Sequence, residues 1–487
     1  MNFQQSTYDL LRWVQRKAEP LVDLSKAATF DALEKIISQT GLEEAVRMYG
    51  EPVGKGTVEE QTRQFLQAAA EIEHQLMVEY LYAYFSLAFE APSGWRAKLR
   101  TIFEEEMGHL LTVQNLLLLL GAEPHFARIS GSSTGTEPFR LRLEPLRTSS
   151  IAKYVAAESP APSGLPPNLQ NDAATAIAEA AANGFTGHRV GLLYAKIYWM
   201  LQSSDAPEGP WTIPQGTFTG GHVPDSGFHA DSIHFQAEPA AWTVSDGPPP
   251  GGGRFAMRMP NRAVALEAIH AVAEQGEGLV PPGVGEPSHF QQFLEIYIAA
   301  RTMVASGQSL PVLPLPTDPT YGPAVLPDAE AEENRISEAS SQLWASLFDI
   351  HYTTLLGVIH LSLLIPDDAA GVGLRSDLAI HAIENQMKGA IGGLARNLIR
   401  RPRKDGIDVA LKAAAPPFSN PSLPASADRR TLADFLRSGI KQSREKMREI
   451  APNPPLPPAL QNIESANAAL EELLARLPLN TTPPPNP

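Results

Sequence analysis

Two stretches decide the reading of this chain: Glu71-Ile72-Glu73-His74-Gln75-Leu76-Met77-Val78-Glu79-Tyr80-Leu81-Tyr82-Ala83 and Glu104-Glu105-Glu106-Met107-Gly108-His109-Leu110. The first lies in a run that opens on Thr57-Val58-Glu59-Glu60, the form of a capping box. Apolar Phe65, Ala69, Ile72, Leu76, Tyr80 and Ala83 then recur three and four residues apart. That period predicts one long amphipathic helix. The second stretch sits among Leu99, Ile102, Phe103, Val113, Leu116, Leu117 and Leu120 and stops at Gly121, where a left-handed cap is expected. The short turn Ala91-Pro92-Ser93-Gly94 makes the two helices antiparallel neighbours.

The charged residues that interrupt these apolar stripes carry the chemistry. Glu73 and Tyr80 are seven residues apart and fall within about 20° of each other around the helix, on the side of Leu76, Met77 and Tyr84. Glu71 turns to the other side and is the weaker candidate. Glu106 and His109 have the i, i+3 spacing that shares one face. A buried ionised carboxylate costs several kcal/mol unless it is compensated, and neither stripe carries a Lys or Arg. A metal ion is the economical compensator. One Glu plus a neighbouring Glu-x-x-His is half of the ligand set of a di-iron carboxylate bundle. For the other half, Glu286-x-x-His289 repeats the spacing, with Glu277 in Gln275-Gly276-Glu277-Gly278 as a further carboxylate. Glu286 before Pro287 equally suits a helix start, and Glu277 equally suits a surface position.

Composition narrows the chemistry further. The chain has 487 residues and a net charge of 39 − 54 = −15, which argues against broad nucleic-acid or anionic-membrane contact. With no cysteine, thiolate metal sites, iron–sulfur clusters, disulfides and thiolate nucleophiles are excluded, so a metal must rest on Glu, Asp and His. No apolar window is long enough for a membrane span, and Met1-Asn2-Phe3-Gln4-Gln5 does not open a secretory signal. A cytoplasmic protein is expected.

The strings Glu71-Ile72-Glu73-His74, Tyr80-Leu81-Tyr82-Ala83, Glu105-Glu106-Met107-Gly108-His109-Leu110, Gln275-Gly276-Glu277-Gly278 and Ser288-His289-Phe290 resemble the ferritin-like domain of the iminophenyl-pyruvate dimer synthase family. That domain also occurs in proteins of violacein- and rebeccamycin-type bisindole biosynthesis. The resemblance runs from about 60 to 302 and implies metal ligation by Glu73, Glu106, His109 and His289, with Glu277 and Glu286 as alternatives or additions. Where the family pattern has a third-helix carboxylate, this chain has Leu192 in Val190-Gly191-Leu192-Leu193-Tyr194. The missing carboxylate is then expected from Glu277 or replaced by His188. Tyr80, Tyr84 and Tyr194 are candidates for groups behind the ligands.

The expected fold is mainly α: a ferritin-like four-helix bundle over 57–302, preceded by a helical extension over 1–56. A Pro/Gly-rich, partly β insertion is expected at about 203–260, further helices over 303–450, and a Pro-rich tail with one short helix over 451–487. Helices are expected at about 173–202, 260–277, 287–303, 331–364, 376–400 and 430–449. The function this implies is a non-haem oxidase or oxygenase. It would hold two irons per chain if the site is complete, or a single metal or an altered dinuclear pair if Leu192 breaks it, with manganese as a further choice, and use O₂ or peroxide on a small, amino-acid-derived substrate, with a homodimer permitted. The alternative, which Leu192 favours, is a scaffold or small-molecule-binding protein without a redox metal. The loops and extra helices argue against a cage-forming iron store.

Overall fold

In a computed structural model, residue 46 and residues 56–477 are described, apart from 129–141, 161–164, 166, 186–188, 206–208, 211, 240, 243–255, 278–286, 324–327, 368–371 and 425–427. Helix α1, Val58–Ser86, begins with the capping box that the sequence announces: the Thr57 N–H donates to Glu60 Oε2 at 2.8 Å, and the Glu60 N–H donates to Thr57 Oγ1 at 3.3 Å. Helix α2, Ser93–Leu119, ends where Gly121 adopts φ 66°. There the Ala122 N–H reaches Leu117 O at 2.8 Å and the Gly121 N–H reaches Leu118 O at 3.0 Å, which closes the orphan carbonyls in a Schellman motif.

Helix α3 is Thr148–Ala157, α4 is Pro167–Ala182, α5 is Gly191–Leu201, α6 is Arg262–Glu277 and α7 is His289–Ala305. α1 and α2 form the most extensive pair. α5 lies on α1 and pairs with α6, which also touches α2, and these four close the bundle. α3, α4 and α7 pack on one another, and α7 reaches both α6 and α2. The C-terminal end of α3 and the N-terminal end of α7 are thereby brought to the bundle.

A second group of helices follows: α8 (Ala329–Asn334), α9 (Ala339–Leu363), α10 (Val372–Ile380), a π-helical segment (His381–Ile391), α11 (Gly392–Leu398), α12 (Arg429–Ile450) and α13 (Pro458–Ala475). α9 packs on α12 and on the π segment, and α13 covers the π segment. The His74 Nε2 to Tyr352 hydroxyl contact, at 2.6 Å and fully buried, ties α9 to α1.

The structure revises several boundaries. The helix expected at 173–202 is two, α4 and α5, and that at 331–364 is also two, because the backbone turns extended at Arg335 between α8 and α9. The described residues of 203–260 form no strand, contrary to the β expectation. Two 3-10 turns, Asp225–Gly227 and Ala230–His234, stand there instead, in a stretch whose prolines and glycines interrupt ladder hydrogen bonding. The predicted helical extension falls almost wholly outside the described residues. No described helix is long and apolar enough to cross a membrane.

Candidate metal centre

Five ligand-type side chains meet inside the bundle, each buried: Glu73 from α1, Glu106 and His109 from α2, Glu158 just past the end of α3, and His289 at the start of α7. They form two triads in which one donor atom from each residue lies within 4.8 Å of the others: Glu73, Glu106 and His109, and Glu106, Glu158 and His289. Glu106 belongs to both. Its Oε2 is 3.2 Å from His109 Nδ1, while its Oε1 is 2.9 Å from His289 Nδ1. One carboxylate thus turns a separate oxygen to each half of the cluster.

The far sides of the two imidazoles are also fixed. His109 Nε2 lies 2.9 Å from Gln275 Oε1, and His289 Nε2 lies 2.9 Å from Glu105 Oε2. The Gln275 amide completes this belt with a 3.4 Å hydrogen bond to Glu105 Oε1. Both Nε2 atoms face oxygen acceptors, so a ring made neutral by a bound cation keeps its proton there and turns its Nδ1 lone pair toward the carboxylates. A lone pair against a carboxylate oxygen is repulsive unless a cation or a proton lies between them.

Other side chains hold the outer carboxylates. The Tyr194 hydroxyl of α5 donates to Glu73 Oε1, and the Tyr80 hydroxyl of α1 donates to Glu158 Oε1 at 2.6 Å. The Tyr80 ring is itself clamped against Tyr154 and Phe293, with centroids 4.9 and 4.8 Å away. Gly276 makes room for Glu158: a Cβ there would sit 2.9 Å from Glu158 Oε2. Of the five cluster residues, two buried atoms stay without a hydrogen bond, Glu73 Oε2 and His289 Nδ1, and both face into the cluster.

Charge follows the same pattern. Burial, and then the charge of Glu106, push Glu73 and Glu158 each up to about 7. Burial would raise Glu106 as well, but His289 and His109 on either side hold it below the usual carboxylate range. Burial opposes the charging of His289, yet Glu106 and Glu105 carry it up to about 10. Among the described residues, no lysine or arginine lines the cleft. Three carboxylates and two imidazoles in a water-poor cavity, with acceptors in excess of donors, form a donor set suited to divalent cations that favour carboxylate and imidazole. The cleft beside them measures about 20 Å³, the scale of one water or one diatomic molecule.

The structure thus brings together Glu73, Glu106, His109 and His289, with Tyr80 and Tyr194 behind them. Glu286 and His188 lie outside the described residues, as does the Glu277 side chain. The third carboxylate in the cluster is Glu158, which the sequence reading did not single out, and Leu192 is simply buried in α5. Glu71 instead pairs with His125 at 2.7 Å, outside the cluster. Tyr84 packs against Phe85 and Phe103, away from the carboxylates. Of the core histidines, His351 is hydrogen-bonded at both nitrogens, whereas His360 is bonded at neither and packs against Phe126.

A family model described as Ferritin-like matches residues 66–298, the stretch from the early turns of α1 into α7 that holds every member of the cluster. The chain therefore carries a ferritin-like domain, of the kind compatible with di-iron carboxylate proteins. No curated protein and no solved structure matches it.

Proposed function

We propose that the cluster is a dinuclear, carboxylate-bridged metal centre, of iron or manganese, and that the protein is a metal-dependent oxidoreductase acting with O₂ or peroxide on a small organic molecule. The observation that carries this reading is Glu106, whose two oxygens each face a different histidine within buried triads of two carboxylates and one imidazole. Glu73, Glu106 and His109 would hold one ion, and Glu106, Glu158 and His289 the other. Ions bound there supply one-electron steps and the activation of oxygen, which no side chain of this cysteine-free chain supplies by itself.

The remaining residues set conditions for that chemistry. Gln275 and Glu105 fix the histidine tautomers, while Tyr194 and Tyr80 orient the terminal carboxylates. Leu76, Val272 and Ala273 line the cleft with apolar surface and limit water there. A cleft of about 20 Å³ fits O₂ or water. An organic substrate would have to widen this cleft to reach the ions. The resemblance to iminophenyl-pyruvate dimer synthases supplies the finer reading, an amino-acid-derived substrate.

The competing reading, a scaffold without redox metal, drew on Leu192, and a set of three carboxylates is present without that position. The test is O₂ uptake after anaerobic Fe(II) loading. The wild type should consume O₂ as iron is oxidised, and Glu106→Ala at equal iron should do so no faster than free Fe(II). Equal uptake by both proteins would refute the proposal.

A further inference from the structure

A second cavity lies between the α1–α2 pair and the C-terminal helices, and it shares no lining residue with the Glu/His cleft. At about 390 Å³ it falls within the roughly 300–1,000 Å³ of small-molecule sites. Met77 and Leu81 of α1, Met107 and Leu110 of α2, Leu355 of α9 and Met387 of the π segment supply much of its wall. Three methionines give that wall adaptable, polarizable surface. The charged groups on the lining are Arg100, Glu104, Lys388 and Arg396, three cations against one anion in a chain of net charge −15.

We propose that this cavity binds a mainly apolar molecule carrying one anionic group, with the apolar body among the methionines and leucines and the anion at Arg396. Arg396 makes no hydrogen bond or ion pair with any other described side chain, whereas Arg100 is engaged by Glu104 at 2.8 Å and Lys388 by Glu384 at 2.9 Å. Its guanidinium lies over Gly392, where a Cβ would come within 3.2 Å of Nη1, so the glycine lets the charge reach the cavity wall.

Two features of the backbone point to the same place. The wall from Ile383 to Ile391 belongs to an eleven-residue π segment, a winding that departs from the α-helix and occurs frequently at functional sites. Across the cavity, Phe418 holds φ at 44°, a conformation rare outside glycine, while Arg128 Nη2 donates to its carbonyl. Trp242 also lines the cavity and gives it an optical reporter.

The test is calorimetric and fluorescence titration of the metal-free full chain with dodecanoate and, separately, with 8-anilinonaphthalene-1-sulfonate. At least one should bind saturably at one site per chain. Which of the two binds distinguishes an acyl chain from a ring system. The tryptophan signal should disappear in Trp242→Phe. Dodecanol should bind about tenfold more weakly than dodecanoate, and Arg396→Gln should weaken anion binding about tenfold, the loss of one charge-assisted hydrogen bond. Leu355→Trp, which fills the cavity, should abolish saturable binding. Fe(II) loading should leave the affinity unchanged, so this inference stands or falls separately from the metal proposal. No saturable binding of either probe, equal affinity for dodecanol and dodecanoate, or full binding by Leu355→Trp would overturn it. The dodecanol comparison uses the wild type and decides the matter even where a variant misfolds.

Discussion

The cluster around Glu106 and the network around His351 are both sealed from water, yet their hydrogen-bond inventories differ in kind. In the C-terminal helices the donors run in one direction. Asn467 Nδ2 donates to Ser443 Oγ at 3.0 Å, Ser443 to His351 Nε2 at 2.8 Å, His351 Nδ1 to Gln386 Oε1 at 2.9 Å, and Gln386 Nε2 to His381 Nε2 at 3.1 Å. All five groups are neutral, since burial pushes both imidazoles down to about 4. The chain joins α9, the π segment, α12 and α13, and it needs no ion. In the ferritin-like domain, three carboxylates face two imidazoles already committed at Nε2, and Glu73 Oε2 and His289 Nδ1 are left over. A buried polar group is expensive when unmatched. The C-terminal network, made of neutral groups and leaving only His381 Nδ1 over among its hydrogen-bonding atoms, therefore reads as architecture, and the carboxylate-rich cluster as a place prepared for cations.

The largest test of this contrast is a pair of truncations. Glu106→Ala should remove both bound metals while the helices persist, because that carboxylate belongs to both triads. His351→Ala should leave metal content intact and cost about 2–4 kcal/mol of stability, from a cavity and an orphaned Ser443 and Gln386. Elemental analysis and thermal unfolding of the two variants check both outcomes. Metal loss in His351→Ala would break the distinction.

Next comes pH. His351 and His381 titrate near 4 when folded and near 6.5 when unfolded, so their stabilisation is complete above 6.5 and is lost as pH falls toward 4. Each contributes on the order of 3 kcal/mol at most. Glu73 and Glu158 shift the other way: with folded values of about 7 against 4.5, the metal-free native state holds extra protons, and stability falls as pH rises from 4.5 through 7. His289, at about 10 when folded, keeps its stabilisation below 6.5 and loses it as pH rises through 10. Metal-free protein should therefore lose thermal stability on both the acid and alkaline sides. Saturating metal should remove chiefly the alkaline loss.

Smaller effects sharpen the cluster from within. Gly276→Ala places a Cβ 2.9 Å from Glu158 Oε2, so it should weaken one metal position by about 10–100-fold and spare the other. Competition with a chelator measures this. Tyr194→Phe and Tyr80→Phe leave all donors in place and should cost about tenfold in affinity each, read by the same competition.

Much of the cluster was legible because α1 and α2 are long. Over 29 and 27 residues the apolar period is unmistakable, so Glu73 and Glu106 stand out as carboxylates on the inner face. His289 was legible from its spacing to Glu286. Glu158 was not. It follows a helix of only ten residues, too short for periodicity to announce, just before Ser159-Pro160. A signal was present all the same: Ile151, Tyr154 and Val155 set an apolar face that Glu158 continues at i+7, i+4 and i+3. Leu192 misled because a family pattern was applied at one register, while the neighbouring Tyr194 is the residue that reaches the cluster. The belt of Gln275 and Glu105 could not be read at all, because its members come from different helices and meet only in the folded chain.

Anaerobic Fe(II) titration with metal counting tests whether Glu106 is shared between two metal positions. Two irons per chain are expected in the wild type, one in Glu158→Ala and none in Glu106→Ala. A single iron in the wild type, or one retained in Glu106→Ala, would contradict that sharing.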